Sequence, residues 1–467
     1  MSPTVIEHCH IATCDSVGTE YEDGHLVLSE GRITAVGAGP APTGAAEPPA
    51  GGTATETVES TATRYVDGRG CLLTPGLINT HHHLYQWVTR AVSQDETLFG
   101  WLTTLYPVWA QIDAEIVHAA AAANLGWLAL TGCTTSSDHH YVFPRRGGDL
   151  LAAEVTAAES IGLRFHPARG SMDLGASAGG LPPDSVVEDR DAILTATAEA
   201  IDRYHDPAED AMLRIVVAPC SPFSVSEGLM REAAELARAK GVRLHTHLAE
   251  TVEENRFCAE HYGCTPTEYA ERLGWLGDDV WMAHCVHLDD AAIGRFAATG
   301  TGVAHCPTSN GRLGAGLAPV NELLKRRVPV GLGVDGAASN ESGAMVDELH
   351  QALLVARLRD GPTALTARES LKLGTIGGAR CLGRERELGS LEPGKLADLA
   401  LWRVDGLAGD GIADPVATLV FGAPTLEASW VGGNPVVESG RLVGADAEAL
   451  GAGARAAAAE IAARSAR

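Results

Sequence analysis

Between residues 71 and 335 the sequence alternates short apolar runs with longer helical stretches, and it does so eight times. The runs are 71–81, 130–138, 162–167, 213–219, 242–247, 279–284, 301–306 and 328–335. Each has the length of a buried strand, whereas 111–130, 149–161, 226–240 and 345–359 are helical in pattern. Buried parallel strands alternating with helices predict an α/β architecture, and eight such units predict a closed (β/α)8 TIM barrel. A doubly wound open sheet is the other arrangement of this pattern, but no G-x-G-x-x-G follows any of the runs.

The flanks read differently. Residues 1–70 are short strands and turns, with a hairpin pattern in "HLVLSEGRITAVGAG" around Glu30 and Gly31, and 40–58 is a loop rich in Ala, Pro, Gly and Thr. Strand-and-turn character returns over 385–445, in "LGSLEPGKLADLALWRV" and "EASWVGGNPVVESGRLV". The expected organisation is therefore a barrel over 71–384 and a small β-sandwich domain built from 1–70 and 385–445. The Ala- and Arg-rich 446–467 forms a terminal helix.

Composition narrows the partners. Lys plus Arg number 35 and Asp plus Glu 60, a net charge of −25 that repels a phosphate backbone and excludes nucleic acid as the expected ligand. No apolar run reaches the ~18 residues of a membrane span, and no secretion signal is seen, so a cytoplasmic location is expected. The ten cysteines are scattered without a C-x-x-C and read as reduced and buried. Their spacing also excludes the H-x-E…P-C-x-x-C zinc site of cytidine-type deaminases.

In a barrel, functional groups come from the C-terminal ends of the strands. The polar residues of this chain gather there: His81 to His83 after the first run, Asp138 to His140 after the second, "HTHLAET" with His245, His247 and Glu250 after the fifth. His284, His305 and Asp335 follow the sixth, seventh and eighth. In "NTHHHLYQW" (79–87), strand alternation directs His81 and His83 one way and His82 the other. Two imidazoles on one face can hold a metal ion, and imidazole suits zinc and iron.

"PGLINTHHH", "HTHLAET", "MAHCVHL" and "GVDGAASN" together resemble the signature segments of the amidohydrolase superfamily, in its mononuclear-metal aminohydrolase branch. The resemblance covers nearly the whole chain. It implies His81, His83, His247 and Asp335 as metal ligands, with His247 taken over His245 because it stands three residues before Glu250 in the H-x-x-E pattern. It implies one divalent ion, zinc in preference to iron, because the fourth strand, "LRIVVAPCSP", has no lysine to bridge a second. Glu250, His284 and Asp335 become the catalytic groups. Glu250 protonates a ring nitrogen, His284 orients the attacking oxygen, and Asp335 accepts the proton of water.

"RGSMDLGASAGGLPPDSVVED", "HCPTSNGRLGAGLAPV" and "VDGAASNESGAMVDELHQALLVAR" are similar more narrowly to the 8-oxoguanine deaminase group, itself similar to hydroxyatrazine ethylaminohydrolases. The implied reaction is hydrolytic deamination of a small oxo-heterocycle, 8-oxoguanine to urate and ammonia. A hydroxylated s-triazine and a pterin are the alternative substrates, and a homo-oligomer, dimer or larger, is the implied assembly. A non-catalytic barrel is disfavoured by the intact polar set. Gln86 (donor and acceptor), Tyr85 and Trp109 (flat rings) and Arg169 (a donor to a carbonyl) are the candidate substrate residues.

Overall fold

The computed structural model describes residues 3–42 and 63–466. The greater part of the loop expected over 40–58 lies outside the described residues. Eight parallel strands close into a barrel in chain order: Leu77–Asn79, Cys133–His140, Arg164–Ser171, Val216–Pro219, Leu244–Leu248, Val280–His284, Gly302–His305 and Val330–Leu332. Leu332 pairs with Asn79 to complete the ring.

The first expected run is two elements rather than one. Cys71–Pro75 pairs antiparallel with Leu399–Arg403 in the terminal sheet, and the barrel begins only at Leu77. Pro75 offers no N–H, and Gly76 packs so closely on Thr134 that a Cβ there would overlap it. The chain passes between the two sheets at this point. The second run is likewise shorter at its start than its apolar pattern suggests. Helix Ala114–Leu130, capped by the Asp113 side chain on the Ile116 N–H, runs to Leu130, and Gly132 turns the chain at φ 87° before Cys133.

The terminal segments make one hydrogen-bonded path of strands: Arg441–Leu442, Asn434–Glu438, Thr425–Val431, Leu399–Arg403, Cys71–Pro75, Thr4–Ala12, Glu20–Ser29 and Arg32–Ala38, with Arg64–Asp67 beside Thr4–Ala12. Its two halves bury one shared apolar cluster that includes Ile6, Leu28, Leu73, Leu399 and Trp430. The helix Ala447–Ser465 is tied to the start of helix Ala114–Leu130 by an Arg464–Asp113 ion pair at 2.6 Å. No helix among the described residues is long and apolar enough to cross a membrane.

Two features hold the barrel as a platform. Ile78, Ala168, Val216, Ala218, Trp281 and Ala304, all from barrel strands, pack with Leu382 and Leu388 into one cluster. The Trp281 indole N–H reaches the Thr80 carbonyl at 2.9 Å and so braces the chain just before His81. Barrel and terminal sheet are joined by a buried pair, Arg164 to Asp398, at 2.7 and 3.0 Å. Removing one partner of such a pair leaves an uncompensated buried charge, a cost of about 3–5 kcal/mol. Asp398→Ala is therefore expected to lower the denaturant midpoint markedly, and an unchanged midpoint contradicts a structural role for the pair.

Candidate active site

His81 and His83 lie past the end of the first barrel strand, in irregular backbone that leads into a short helical turn, Leu84–Thr89. The two-residue period persists there. The Nε2 atoms of His81 and His83 each stand 3.3 Å from Asp335 Oδ1. His82 faces away, its Nε2 3.0 Å from Asn124 Oδ1 and its Nδ1 accepting the His83 N–H at 2.8 Å. His247, from the fifth strand, brings its Nε2 within 3.1 Å of His83 Nε2.

The hydrogen-bond partners fix the tautomers. A carbonyl oxygen only accepts, so His83 Nδ1 donates to the His139 carbonyl and His247 Nδ1 to the Cys220 carbonyl, each at 2.7 Å. His245 Nδ1 donates to the Trp281 carbonyl at 2.9 Å, which leaves its Nε2 to accept from His81 Nδ1 at 2.8 Å. All three inner imidazoles thus present a bare Nε2 to one point. Burial pushes His83 and His247 down to about 3, so both are neutral.

Asp335 is prepared in the same way. Its Oδ2 accepts from the hydroxyls of Ser309 at 2.6 Å and Ser339 at 3.2 Å, and its Oδ1 takes the Gly336 N–H at 2.7 Å while facing the imidazoles. Asp335, His284, Cys285 and Ala249 all hold positive φ (49–69°) without being glycine, a concentration of left-handed backbone at the strand ends that surround the site.

This donor set fits a divalent cation. The facing lone pairs of His83 and His247 have no proton between them, and His81 Nε2 is buried without a hydrogen-bond partner. Ligand atoms that share one zinc at bonds of about 2.0–2.1 Å stand roughly 3 Å from one another. The His83–His247, His81–Asp335 and His83–Asp335 separations are 3.1–3.3 Å.

Glu250 and His284 stand beside this cluster, 3.6 Å apart, and His284 Nε2 is 3.8 Å from Asp335 Oδ2. Burial pushes the Glu250 carboxyl up to about 7, against the opposing influence of His284. Burial alone would lower His284, but the carboxylates of Glu250 and Asp335 outweigh it and raise its pKa. His284 Nδ1 donates to Asn310 Oδ1 at 2.9 Å, which turns Nε2 inward. The loop is pinned by Glu254, whose carboxylate accepts the N–H groups of Ala249 and Glu250 at 2.7 and 2.9 Å.

His83, His247, Glu250, His284 and Asp335 line a cavity at the barrel mouth. Its other walls include Gln86, Trp101, Tyr106, Tyr141, Phe223 and Leu313. Both amide atoms of Gln86 and the Tyr106 hydroxyl are buried with no hydrogen-bond partner. Gly336 leaves room for that carboxamide, since a Cβ there would overlap it.

The other three substrate candidates stand elsewhere. Tyr85 packs behind the wall, its ring against Trp109 and His140. Trp109 is fully buried, with its indole N–H on the Thr89 hydroxyl at 3.1 Å. Arg169 is engaged by Glu188 at 2.7 and 3.0 Å and lies 3.7 Å over the Phe143 ring, outside the cavity. Trp101, Tyr106, Tyr141, Phe223 and Leu313 line the cavity instead. None of them stands at a chemically marked position in the sequence. His305, at the end of the seventh strand, is buried with neither ring nitrogen bonded and does not join the ligand cluster.

Fold and site together define a metal-binding (β/α)8 barrel of the hydrolase type. The amidohydrolase family model matches residues 72–437, and the chain belongs to that family. It is 44% identical to the 8-oxoguanine deaminase of Pseudomonas aeruginosa, over 94% of this chain and 95% of that one. It is 39% identical to an isoxanthopterin deaminase from an unknown prokaryotic organism, over 84% and 86% of the two chains. The solved structure of the atrazine chlorohydrolase TrzN of Arthrobacter aurescens TC1, complexed with zinc, superposes with a TM-score of 0.89 at 35% identity, covering 97% of this chain and all of that one.

The tautomer pattern separates adjacent histidines. His83→Ala is expected to strip bound metal, whereas His82→Ala retains it. Metal content of the folded variants checks this, and loss of metal from His82→Ala with retention by His83→Ala reverses the assignment.

Proposed function

We propose that this chain is a metal-dependent aminohydrolase that converts 8-oxoguanine and water to urate and ammonia, with a single divalent ion, zinc in preference to iron, held by His81, His83, His247 and Asp335. The observation that carries the reading is the placement of Glu250 and His284 beside three bare imidazole nitrogens and a carboxylate, in a cavity also lined by the unpartnered carboxamide of Gln86. The 44% identity to an 8-oxoguanine deaminase supports the substrate.

When bound by His81, His83, His247 and Asp335, a divalent ion would supply an activated water by lowering its pKa toward about 7. The chain's own groups do the rest. Asp335 accepts the proton of that water. Glu250, with a pKa of about 7, holds a proton near neutrality and gives it to the ring nitrogen next to the carbon that bears the amine. Protonation there breaks the aromatic conjugation and opens the carbon to attack. His284, with Nδ1 engaged by Asn310, directs Nε2 toward the developing oxyanion. Asp335 then gives the proton it took to the leaving amine, Glu250 takes back the proton of the new hydroxyl, and ammonia departs with both carboxyls restored. Gln86 offers a paired donor and acceptor to the amide-like edge of the ring, and the apolar walls exclude water.

An isoxanthopterin-type pterin is the second substrate reading, supported by the 39% relative, and a hydroxylated s-triazine is the third. The family resemblance also supports a cytoplasmic homo-oligomer. An ammonia-release screen over 8-oxoguanine, isoxanthopterin and hydroxyatrazine, with urate followed optically, tests the substrate. The highest kcat/KM is expected with 8-oxoguanine, and a preference for either other ring overturns that choice while leaving the deaminase reading intact. Glu250→Gln keeps the side-chain shape but not the acid. Its kcat is expected to fall by about 10²–10⁴-fold with metal content unchanged. Near wild-type kcat at full metal content removes Glu250 from the reaction.

A further inference from the structure

Behind the turn that carries His81 and His83 lies a second buried cluster, which the proposed reaction does not use. The second barrel strand ends in Asp138, His139 and His140, and helix Leu150–Ile161 presents Glu154 to it. Asp138, His140 and Glu154 are each fully buried. Asp138 Oδ1 accepts the N–H of Leu84, the residue after His83, at 2.6 Å. His140 Nδ1 lies 2.7 Å from Glu154 Oε1, and His140 Nε2 lies 2.8 Å from the Val142 carbonyl. Asp138 Oδ2 and Glu154 Oε2 have no partner.

The bonding pattern places the protons. A neutral imidazole has one N–H, and the Val142 carbonyl takes it, so His140 Nδ1 is an acceptor. The group facing it must donate, which makes Glu154 the carboxylic acid. Two carboxylates this close in a dry site do not both ionise. Burial raises both carboxyls and lowers His140 to about 4, which leaves the His140 ring neutral. The same strand end makes two more bonds to the turn. The His139 N–H donates to the His82 carbonyl, and the His139 carbonyl accepts from His83 Nδ1, both at 2.7 Å.

We propose that Asp138, His140 and Glu154 are positioning residues: a neutral Glu154–His140 pair locks the end of the second strand to its helix, and Asp138 holds Leu84, so that His81 and His83 are set for metal before metal arrives. This rests on the reading of His81 and His83 as ligands. The cluster is not itself a metal site, because both ring nitrogens of His140 are already engaged. Outer hydrogen-bond partners of metal ligands typically contribute about 10–100-fold to metal affinity.

The test is zinc affinity by chelator competition, measured on folded variants. Asp138→Ala is expected to weaken zinc binding by about 10–100-fold. Glu154→Leu is expected to weaken it comparably, whereas Glu154→Gln, whose amide N–H can donate to His140 Nδ1, binds within a few-fold of wild type. Wild-type affinity in Asp138→Ala overturns the proposal, as does a Glu154→Gln variant as weak as Glu154→Leu. If Asp138→Ala does not fold, the two Glu154 variants decide alone. Amide exchange at Leu84 in the metal-free protein separates this idea from the ligand reading. Faster exchange in Asp138→Ala than in wild type is expected whether or not zinc binds, and equal exchange overturns the clamp. A wild-type chain that takes up no zinc instead overturns the ligand assignment.

Discussion

Three N–H···O=C bonds decide what this site is. The backbone carbonyls of His139, Cys220 and Trp281 take the protons of His83, His247 and His245, and His245 passes the constraint to His81. The bonds to His83 and His247 leave their Nε2 lone pairs directed at a common point, and His245, by accepting the His81 Nδ1 proton, does the same for His81. Leaving buried polar groups without partners is costly. A cation is the economical partner for three bare nitrogens and a carboxylate, and the tautomers make the arrangement specific to one.

The fold serves this arrangement. Closing the barrel brings the ends of the first, fifth, sixth and eighth strands to one mouth, and Trp281 fills the interior beneath, stacked on His245 at 4.5 Å. The left-handed residues at the mouth, Ala249, His284, Cys285 and Asp335, are conformations costing about 1–3 kcal/mol each, held by surrounding contacts. Ser309, Ser339 and Gly336 fix Asp335, Glu254 fixes the loop bearing Glu250, and Asn310 orients His284. The reactive groups therefore need little rearrangement, which is the condition under which electrostatic stabilisation is most effective.

Much of this was legible in the sequence because barrel strands are short, apolar and buried on both faces, while their C-terminal ends are abruptly polar. The H-x-H spacing carried His81 and His83, and "HTHLAET" carried His247 and Glu250. Strand limits were less legible. Periodicity does not mark the point where Pro75 and Gly76 carry the chain from one sheet to another, or where Leu130 ends a helix instead of opening a strand. The cavity walls were least legible. Tyr85, Trp109 and Arg169 have the right chemistry, but packing on His140, a bond to Thr89 and a pair with Glu188 turn them elsewhere. Tyr106 and Trp101 sit in a helix of ordinary apolar pattern, and only tertiary packing distinguishes their role.

The account joins a preset ligand cluster to a proton-holding carboxyl. Burial raises the Glu250 carboxyl to about 7, where it can hold and release a proton, while the same burial keeps His83 and His247 neutral and able to bind a cation. One low-dielectric pocket thus prepares both the acid and the ligands. The most direct measurement is elemental analysis of the purified, active protein. About one tightly bound divalent ion per chain is predicted, as three imidazoles and one carboxylate imply. An active protein with no metal, or with two tightly bound ions, contradicts the account.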